Sequence, residues 1–293
     1  MNKKAMQMSP VNTLAVLGPK NTYTDLAADK YISARKKNIH KVHFRSINDI
    51  FYAVEKGKTE RGIVPLENVI YGSVRETYDL LSDANVHIIE KFKLRIEHVL
   101  VTLPGTKKSD IHSIASHEQA LQQCRDYLSK YYPNAQKEYC TSTMAALEKM
   151  VNTDDRGMAV IIPKLAAEGL PLKIIARDIQ DRTKNYTTFI VLEKGTAVSA
   201  VDAGGKKLET SIAFHFRKDS PGRLYMVFRE FANAGINLSH IESRPSVNDP
   251  GNYIFFLNFD EPRPGGGNSS ADVLEKIRPK VAGLKILGTY KKQ

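Results

Sequence analysis

Tryptophan is absent from this chain, so aromatic packing falls to 13 tyrosines and 11 phenylalanines. Cysteine is nearly absent. The two present, Cys124 and Cys140, have neither metal nor redox spacing, and reduced thiols, buried or half-buried, in a cytoplasmic protein are expected. Long apolar runs are missing too. None approaches the ~20 residues of a membrane-crossing helix, and the N-terminal run 14–17 is cut by Gly18-Pro19, which is no signal peptide. The eight histidines form no HxxxH or HxH pair, and no GxSxG or phosphate-loop pattern occurs. The usual sequence marks of a metal centre, a serine nucleophile or a nucleotide site are therefore lacking.

Acidic residues are outnumbered, 32 Asp and Glu against 43 Lys and Arg, for a net charge of +11. Such an excess suits nucleic acid or small anions. It is spread along the chain, and its densest groups, Arg35-Lys36-Lys37 and Lys291-Lys292, read as solvated surface. No basic stripe interleaved with aromatics appears, so no nucleic-acid partner and no membrane partner are expected. With 293 residues and 42% hydrophobic content, two domains with ordinary cores are expected.

The pattern is α/β. Residues 13–17 read as a strand ending at Gly18-Pro19, and 22–31 as a helix. Further helices are expected at 47–56, 73–81, 117–130, 142–152 and 164–169. Strands are expected at 62–65, stopping at Pro65, and at 86–89, 158–162, 174–175 and 189–192. Residues 195–207, small, polar and glycine-bearing, read as a linker. After it the order strand 208–217, helix to 231, strands 236–241 and 252–259, helix 270–280 and strand 284–290 is a ferredoxin-like βαββαβ pattern. Within it 262–270, with Gly265-Gly266-Gly267, reads as a flexible loop.

Chemistry-bearing residues gather in polar turns at strand ends, where open α/β sheets build ligand crevices. Thr22, Tyr23 and Thr24 open a helix, whose free N–H groups can hold a carboxylate; a plain N-cap, worth ~1 kcal/mol, is the alternative. Glu67 and Asn68 follow a strand, with Gly72 and Ser73 beyond. Ser116, His117 and Gln119 lead a helix, as do Thr141, Ser142 and Thr143. Asn185, Tyr186, Thr187 and Thr188 precede the apolar run beginning at Phe189.

These turns follow the order of a known family. LGPKNTYTDLAA, GIVPLENVIYGSV, SHEQALQQC, TSTMAALEKM, NYTTFIVL and GINLSHIESRP resemble prephenate dehydratase over nearly the whole chain, including a C-terminal ACT regulatory domain. The resemblance implies a two-lobed, periplasmic-binding-protein-like catalytic domain over 13–194. One lobe would be about 13–90 with 180–194, the other about 91–179. A linker at 195–207 and an ACT domain at 208–291 would follow. It implies loss of water and carbon dioxide from prephenate to give phenylpyruvate, with no metal and no organic cofactor. Thr187 would be the catalytic donor. Thr22, Tyr23, Glu67, Asn68, Gly72, Ser116, His117, Gln119, Ser142, Thr143, Asn185, Thr188 and Phe189 would bind substrate.

The match is imperfect. The family's Thr-Arg-Phe reads Thr187-Thr188-Phe189, which removes a guanidinium expected to grip a carboxylate. Glu-Asn-Ser reads Glu67-Asn68-Val69, a strand-end turn reads Ile162-Pro163, Asn21 replaces a glycine, and Met144 stands where a small residue is common. Alternatives therefore remain: a prephenate decarboxylase, an arogenate dehydratase, or a non-catalytic phenylalanine-binding regulator. In the ACT region the resemblance makes Gly222, Arg223, Leu224, Asn237, Leu238, Glu242, Ser243 and Arg244 a phenylalanine site between subunits of a homodimer or homotetramer. A local Glu242–Arg244 ion pair is the competing reading.

Overall fold

The computed structural model describes residues 12–35, 38–197, 207–218, 220–246, 249–262 and 269–292. A first lobe contains β1 (Thr13–Leu17), α1 (Tyr23–Ser33), β2 (His40–Phe44), α2 (Ile47–Glu55), β3 (Arg61–Asn68), β4 (Gly72–Ser73), α3 (Arg75–Asp83) and β5 (Val86–Arg95). The chain crosses to a second lobe of β6 (His98–Thr102), β7 (Ser113–His117), α4 (Glu118–Gln123), α5 (Arg125–Tyr131), β8 (Gln136–Cys140), α6 (Thr143–Thr153), β9 (Met158–Pro163), α7 (Lys164–Ala167) and β10 (Lys173–Arg177). β11 (Tyr186–Lys194) returns to the first lobe. The C-terminal unit runs β12 (Leu208–His215), α8 (Arg223–Asn233), β13 (Leu238–Pro245), β14 (Tyr253–Asp260), α9 (Ser270–Ile277) and β15 (Gly283–Lys291).

Three sheets result: β2-β1-β3-β11-β5, β10-β6-β9-β7-β8, and β13-β14-β12-β15. The first two make a two-lobed α/β body of the periplasmic-binding-protein type, and the third is a ferredoxin-like βαββαβ unit. One face of the first sheet packs Leu14, Val16 and Phe189 into a core that continues into the second lobe through Val99, Val101 and Val160. Its opposite face packs Ala15, Val64 and Ile190 against α2 and α3, and also against Phe256, Leu287 and Tyr290 of the C-terminal unit. That unit is thus docked by apolar burial. Where β15 passes β5 a Cβ on Gly288 would lie 2.1 Å from the Ile88 carbonyl oxygen. Around the seam Arg244 Nε donates to Asp79 at 3.1 Å, Tyr78 Oη lies 3.1 Å from His240 Nε2, and Lys285 Nζ donates to the Leu81 and Ala84 carbonyls at the end of α3. No helix among the described residues is long and apolar enough to cross a membrane.

Several expectations need correction. The helix over 117–130 is two helices, parted at buried Cys124. The second is capped by Asp181, whose carboxylate accepts from the Asp126 and Tyr127 N–H groups; that cap comes from a distant segment, so local periodicity cannot announce it. The strand expected to stop at Pro65 continues to Asn68. Its partner β11 shifts register there, pairing Thr188 with Glu67 and Phe189 with Pro65, and a bulge tolerates the missing proline N–H. β2 and β8, outer strands of their sheets, are additional, and β13 lies at Leu238–Pro245 rather than 236–241. Arg35 is not simply solvated, since it pairs with Glu90 and lies 3.5 Å from the Tyr31 ring centre. Lys36 and Lys37, linker residues 198–206 and loop residues 263–268 lie outside the described residues. Both cysteines are free thiols, Cys124 buried and Cys140 half-buried.

Candidate active site

The turn after β1 is built around a buried carboxylate. Asp25, 2% exposed, accepts the Asn21 N–H at 2.8 Å and pairs with Lys41 and His43 at 2.7 Å each. Burial raises its pKa, but hydrogen bonds from Lys41, Asn21 and His43 outweigh it and hold the carboxyl below its ordinary value. Asn21 adopts φ 60°, a left-handed conformation asparagine accepts, so its replacement of glycine is accommodated. Thr22 occupies the N-cap position, yet its hydroxyl donates to the Pro19 carbonyl at 3.0 Å and caps no N–H. The start of α1 therefore keeps open N–H groups and a partial positive charge. On the facing lobe Ser142 caps α6 by accepting the Ala145 N–H at 2.9 Å, as expected, and the earlier N–H groups of that helix are left open.

These two helix starts face each other across a cavity of about 490 Å³ between the lobes. From the first lobe Thr22, Tyr23, Asn68, Gly72, Thr187 and Phe189 line it; from the second, His117, Gln119, Ser142 and Thr143. Its described lining holds no Lys, Arg, Asp or Glu. An anion there is met by hydroxyls, amides and helix N-termini rather than by a lysine or arginine.

Thr187 has the most constrained setting. Asn68 Oδ1 accepts the Ile70 and Tyr71 N–H groups at 2.9 and 3.1 Å, which fixes its amide with the NH₂ end towards β11. That NH₂ reaches Thr187 Oγ1 at 2.9 Å and Asn185 Oδ1 at 3.0 Å. The Thr187 oxygen is thus an acceptor within the protein, and its own proton is the one free to be donated into the cavity.

Four residues expected in the cleft lie elsewhere. Ser116 is fully buried and donates to the Ile161 carbonyl at 2.7 Å. Asn185 is fully buried behind Asn68. Glu67 and Thr188 line a different cavity, of about 240 Å³, shared with Lys91, Glu209, Ser239 and His240 at the seam with the C-terminal unit. The cause is geometric. Successive strand residues face opposite sides, so Thr188 points away from the side that Thr187 and Phe189 take. In β3 the bulge puts both Leu66 and Glu67 on the far side and returns Asn68 to the cleft beside Thr187. The other departures also miss the cleft lining. Val69 is 61% exposed, Met144 is a core residue, and Pro163 pairs with His98 in the β6–β9 ladder.

Thr141 lines the cleft beside Ser142, and the structure adds residues that the motifs did not single out, among them His98, Gln123 and Tyr71. Gln123 stands four residues after Gln119, one helical turn on the same face, and that spacing was a usable signal. His98 opens an apolar strand and carried none. Burial drives its pKa down to about 4, so the ring is neutral near pH 7. Tyr23, whose pKa burial raises well above 10.0, donates to the Glu97 carbonyl at 2.9 Å, so its hydroxyl is committed to the crossover between lobes.

The expected regulatory residues are dispersed over one C-terminal unit. Gly222 starts α8 at φ 85°, Arg223 Nε donates to Ser220, and Leu224 packs on the core beneath the helices. The Asn237 carbonyl accepts the Asp260 N–H. Leu238, Glu242 and Ser243 lie on the outer strand β13, where Arg244 is engaged by Asp79 of the first lobe rather than by Glu242.

Comparison with known proteins agrees with this geometry. The chain matches the prephenate dehydratase family over residues 14–197. It is 33% identical over 273 residues to a prephenate dehydratase of Methanocaldococcus jannaschii, covering 93% of this chain and 95% of that one. It is 30% identical to arogenate dehydratase 1 of Petunia hybrida, covering 94% of this chain and 66% of that one. Among solved structures, the prephenate dehydratase of Arthrobacter aurescens in complex with L-Phe superimposes with a TM-score of 0.81 at 30% identity, covering 96% of this chain and 90% of that one. Likeness of this extent, over catalytic lobes and C-terminal unit together, means that the chain belongs to the prephenate dehydratase family.

Proposed function

We propose that the chain converts prephenate to phenylpyruvate. The ring C–carboxylate bond breaks to release CO₂, its electron pair moves through the ring, and the C–OH bond opposite breaks. One proton from solvent balances the departing hydroxide as water. Aromatisation drives the step, so the protein needs only to orient the dianion and stabilise the leaving oxygen. Thr187 donates its hydrogen bond to that oxygen. The carrying observation is the Asn68 amide bonded into the Thr187 oxygen, with the threonine proton left for the cleft.

The helix starts of α1 and α6 and the amides of Gln119 and Gln123 serve the two carboxylates. Arogenate differs by an ammonium group. The described lining offers no carboxylate to receive it, which favours prephenate. A decarboxylase that leaves the hydroxyl in place would have no use for an aligned donor. The test is incubation with prephenate, with phenylpyruvate followed by its absorbance in alkali and substrate loss by mass spectrometry. Thr187→Val should remove phenylpyruvate formation by a hundredfold or more while leaving the urea midpoint in place. Full activity in that variant would sink the assignment.

Phenylalanine is the proposed effector, bound by the C-terminal unit between subunits of a homodimer or homotetramer. Support comes from β13, which carries Leu238, Glu242 and Ser243 at an outer edge of its sheet, where a second copy can approach. A dimer by light scattering, together with a phenylalanine-dependent rise in melting temperature, is the expected result.

A further inference from the structure

Where the chain crosses between lobes, His98 is 2% exposed yet borders the cleft. Its backbone N–H donates to Gln180 Oε1 at 2.9 Å, and the Gln123 carbonyl accepts the Asp181 N–H at 2.7 Å. Adjacent residues of the return crossover therefore hold both His98 and Gln123 in place. The two side chains meet with His98 Nε2 2.8 Å from Gln123 Oε1. On the ring's other side Nδ1 lies 3.3 Å from the Tyr23 hydroxyl, close enough to accept a share of the proton that the hydroxyl gives the Glu97 carbonyl at 2.9 Å, and the two rings meet edge to face at 5.6 Å.

Gln123 can present either end of its amide to the cleft. A carbonyl oxygen there would repel a carboxylate; an NH₂ would bind one. An amide oxygen cannot donate, so an Oε1 facing His98 requires the proton on Nε2. That leaves the NH₂ end for the cleft, and no partner for it occurs among the described residues. On the first lobe the same selection is made for Asn68 by two backbone N–H groups.

We propose that His98 is a positioning residue whose Nε2–H tautomer fixes the Gln123 amide with its NH₂ towards a carboxylate of the bound dianion. The substrate part of this statement rests on the function proposed above; the tautomer does not.

Two measurements test it. In the full-length protein without substrate, long-range ¹H–¹⁵N correlation of labelled histidine should show the proton on Nε2 of His98, assigned by loss of the signal in His98→Gln. A proton on Nδ1 overturns the proposal whether or not prephenate is turned over. Kinetics form the second arm. His98→Leu removes the donor and should raise KM for prephenate about tenfold with kcat changed less than threefold. His98→Gln places an amide NH₂ near Nε2 and should recover most of that loss. Gln123→Leu should cost as much as His98→Leu, and the double variant no more than Gln123→Leu alone. A purely structural histidine would instead give additive losses, with His98→Gln as impaired as His98→Leu, and either result refutes the positioning role.

Discussion

Thr188→Arg restores the residue that the family pattern contains, and two incompatible outcomes follow from where position 188 points. If it faced the substrate, the new guanidinium would add one charge-assisted contact to a carboxylate. Such a contact is worth about 1.5–3 kcal/mol, or roughly a ten- to hundredfold fall in KM. The structure instead puts Thr188 directly across from Glu67 in the β3–β11 ladder, on the side of the cavity at the C-terminal seam. An arginine would extend into that space of about 240 Å³ and meet the carboxylates of Glu67 and Glu209, but also Lys91, Lys292 and Lys93, which stands across from position 188 on β5. Opposed cross-strand charges contribute roughly 0.2–1 kcal/mol, and ordering a long side chain costs up to about 2 kcal/mol. The net effect on stability is within about 1 kcal/mol of zero. KM for prephenate should stay within about twofold of the parent, read from initial rates of phenylpyruvate formation. A tenfold or larger fall in KM would refute the face assignment and return Thr188 to the cleft.

Other consequences follow from single contacts. Gly288→Ala sets a Cβ against the Ile88 carbonyl; it should lower stability by about 1–3 kcal/mol and expose the seam to limited proteolysis. Asp79→Asn combined with Arg244→Ala should give a coupling energy of about 0.5–1 kcal/mol in a urea double-mutant cycle, because Asp79 is partly exposed. His98 titrates near 6.5 when unfolded and near 4 when folded, so the unfolded chain binds the extra proton in that window. Stability is full above pH 6.5 and should fall by about 3 kcal/mol as pH drops to 4; His98→Gln should flatten that part of the urea-midpoint profile.

The turns that frame the cleft were legible because their chemistry is local. Gly18-Pro19 ends a strand, Ser142 caps the helix that follows it, and hydroxyls mark strand ends. What could not be read was which side of a sheet each residue takes. Glu67, Asn68, Thr187 and Thr188 stand together in two motifs, yet strand alternation in β11 and one bulge at Leu66 in β3 sort them into two cavities. A bulge depends on the partner strand's register, 120 or so residues away in sequence, and nothing within GIVPLENV announces it beyond the proline. Outer strands β2 (HKVHF) and β8 (QKEYC) were missed for a related reason. An edge strand needs few apolar residues, so its pattern merges with loop.

That sorting bears on the proposed chemistry. The reaction starts from a dianion and expels one carboxylate as neutral CO₂, so negative charge must leave the ring carboxylate in the transition state. A guanidinium clamped on that group would stabilise the starting charge more than the departing one, and uniform or ground-state binding does not raise kcat. Neutral donors grip the same group less tightly and lose less when its charge moves. The cleft fits that requirement: its described lining has no Lys, Arg, Asp or Glu, Glu67 is turned to the far side by the bulge, and two helix starts supply fractional positive charge. The net charge of +11 can still draw the dianion from solution. Association should therefore weaken with salt while kcat does not, and a kcat that fell in step with kcat/KM as ionic strength rose would argue that a charged group works inside the cleft.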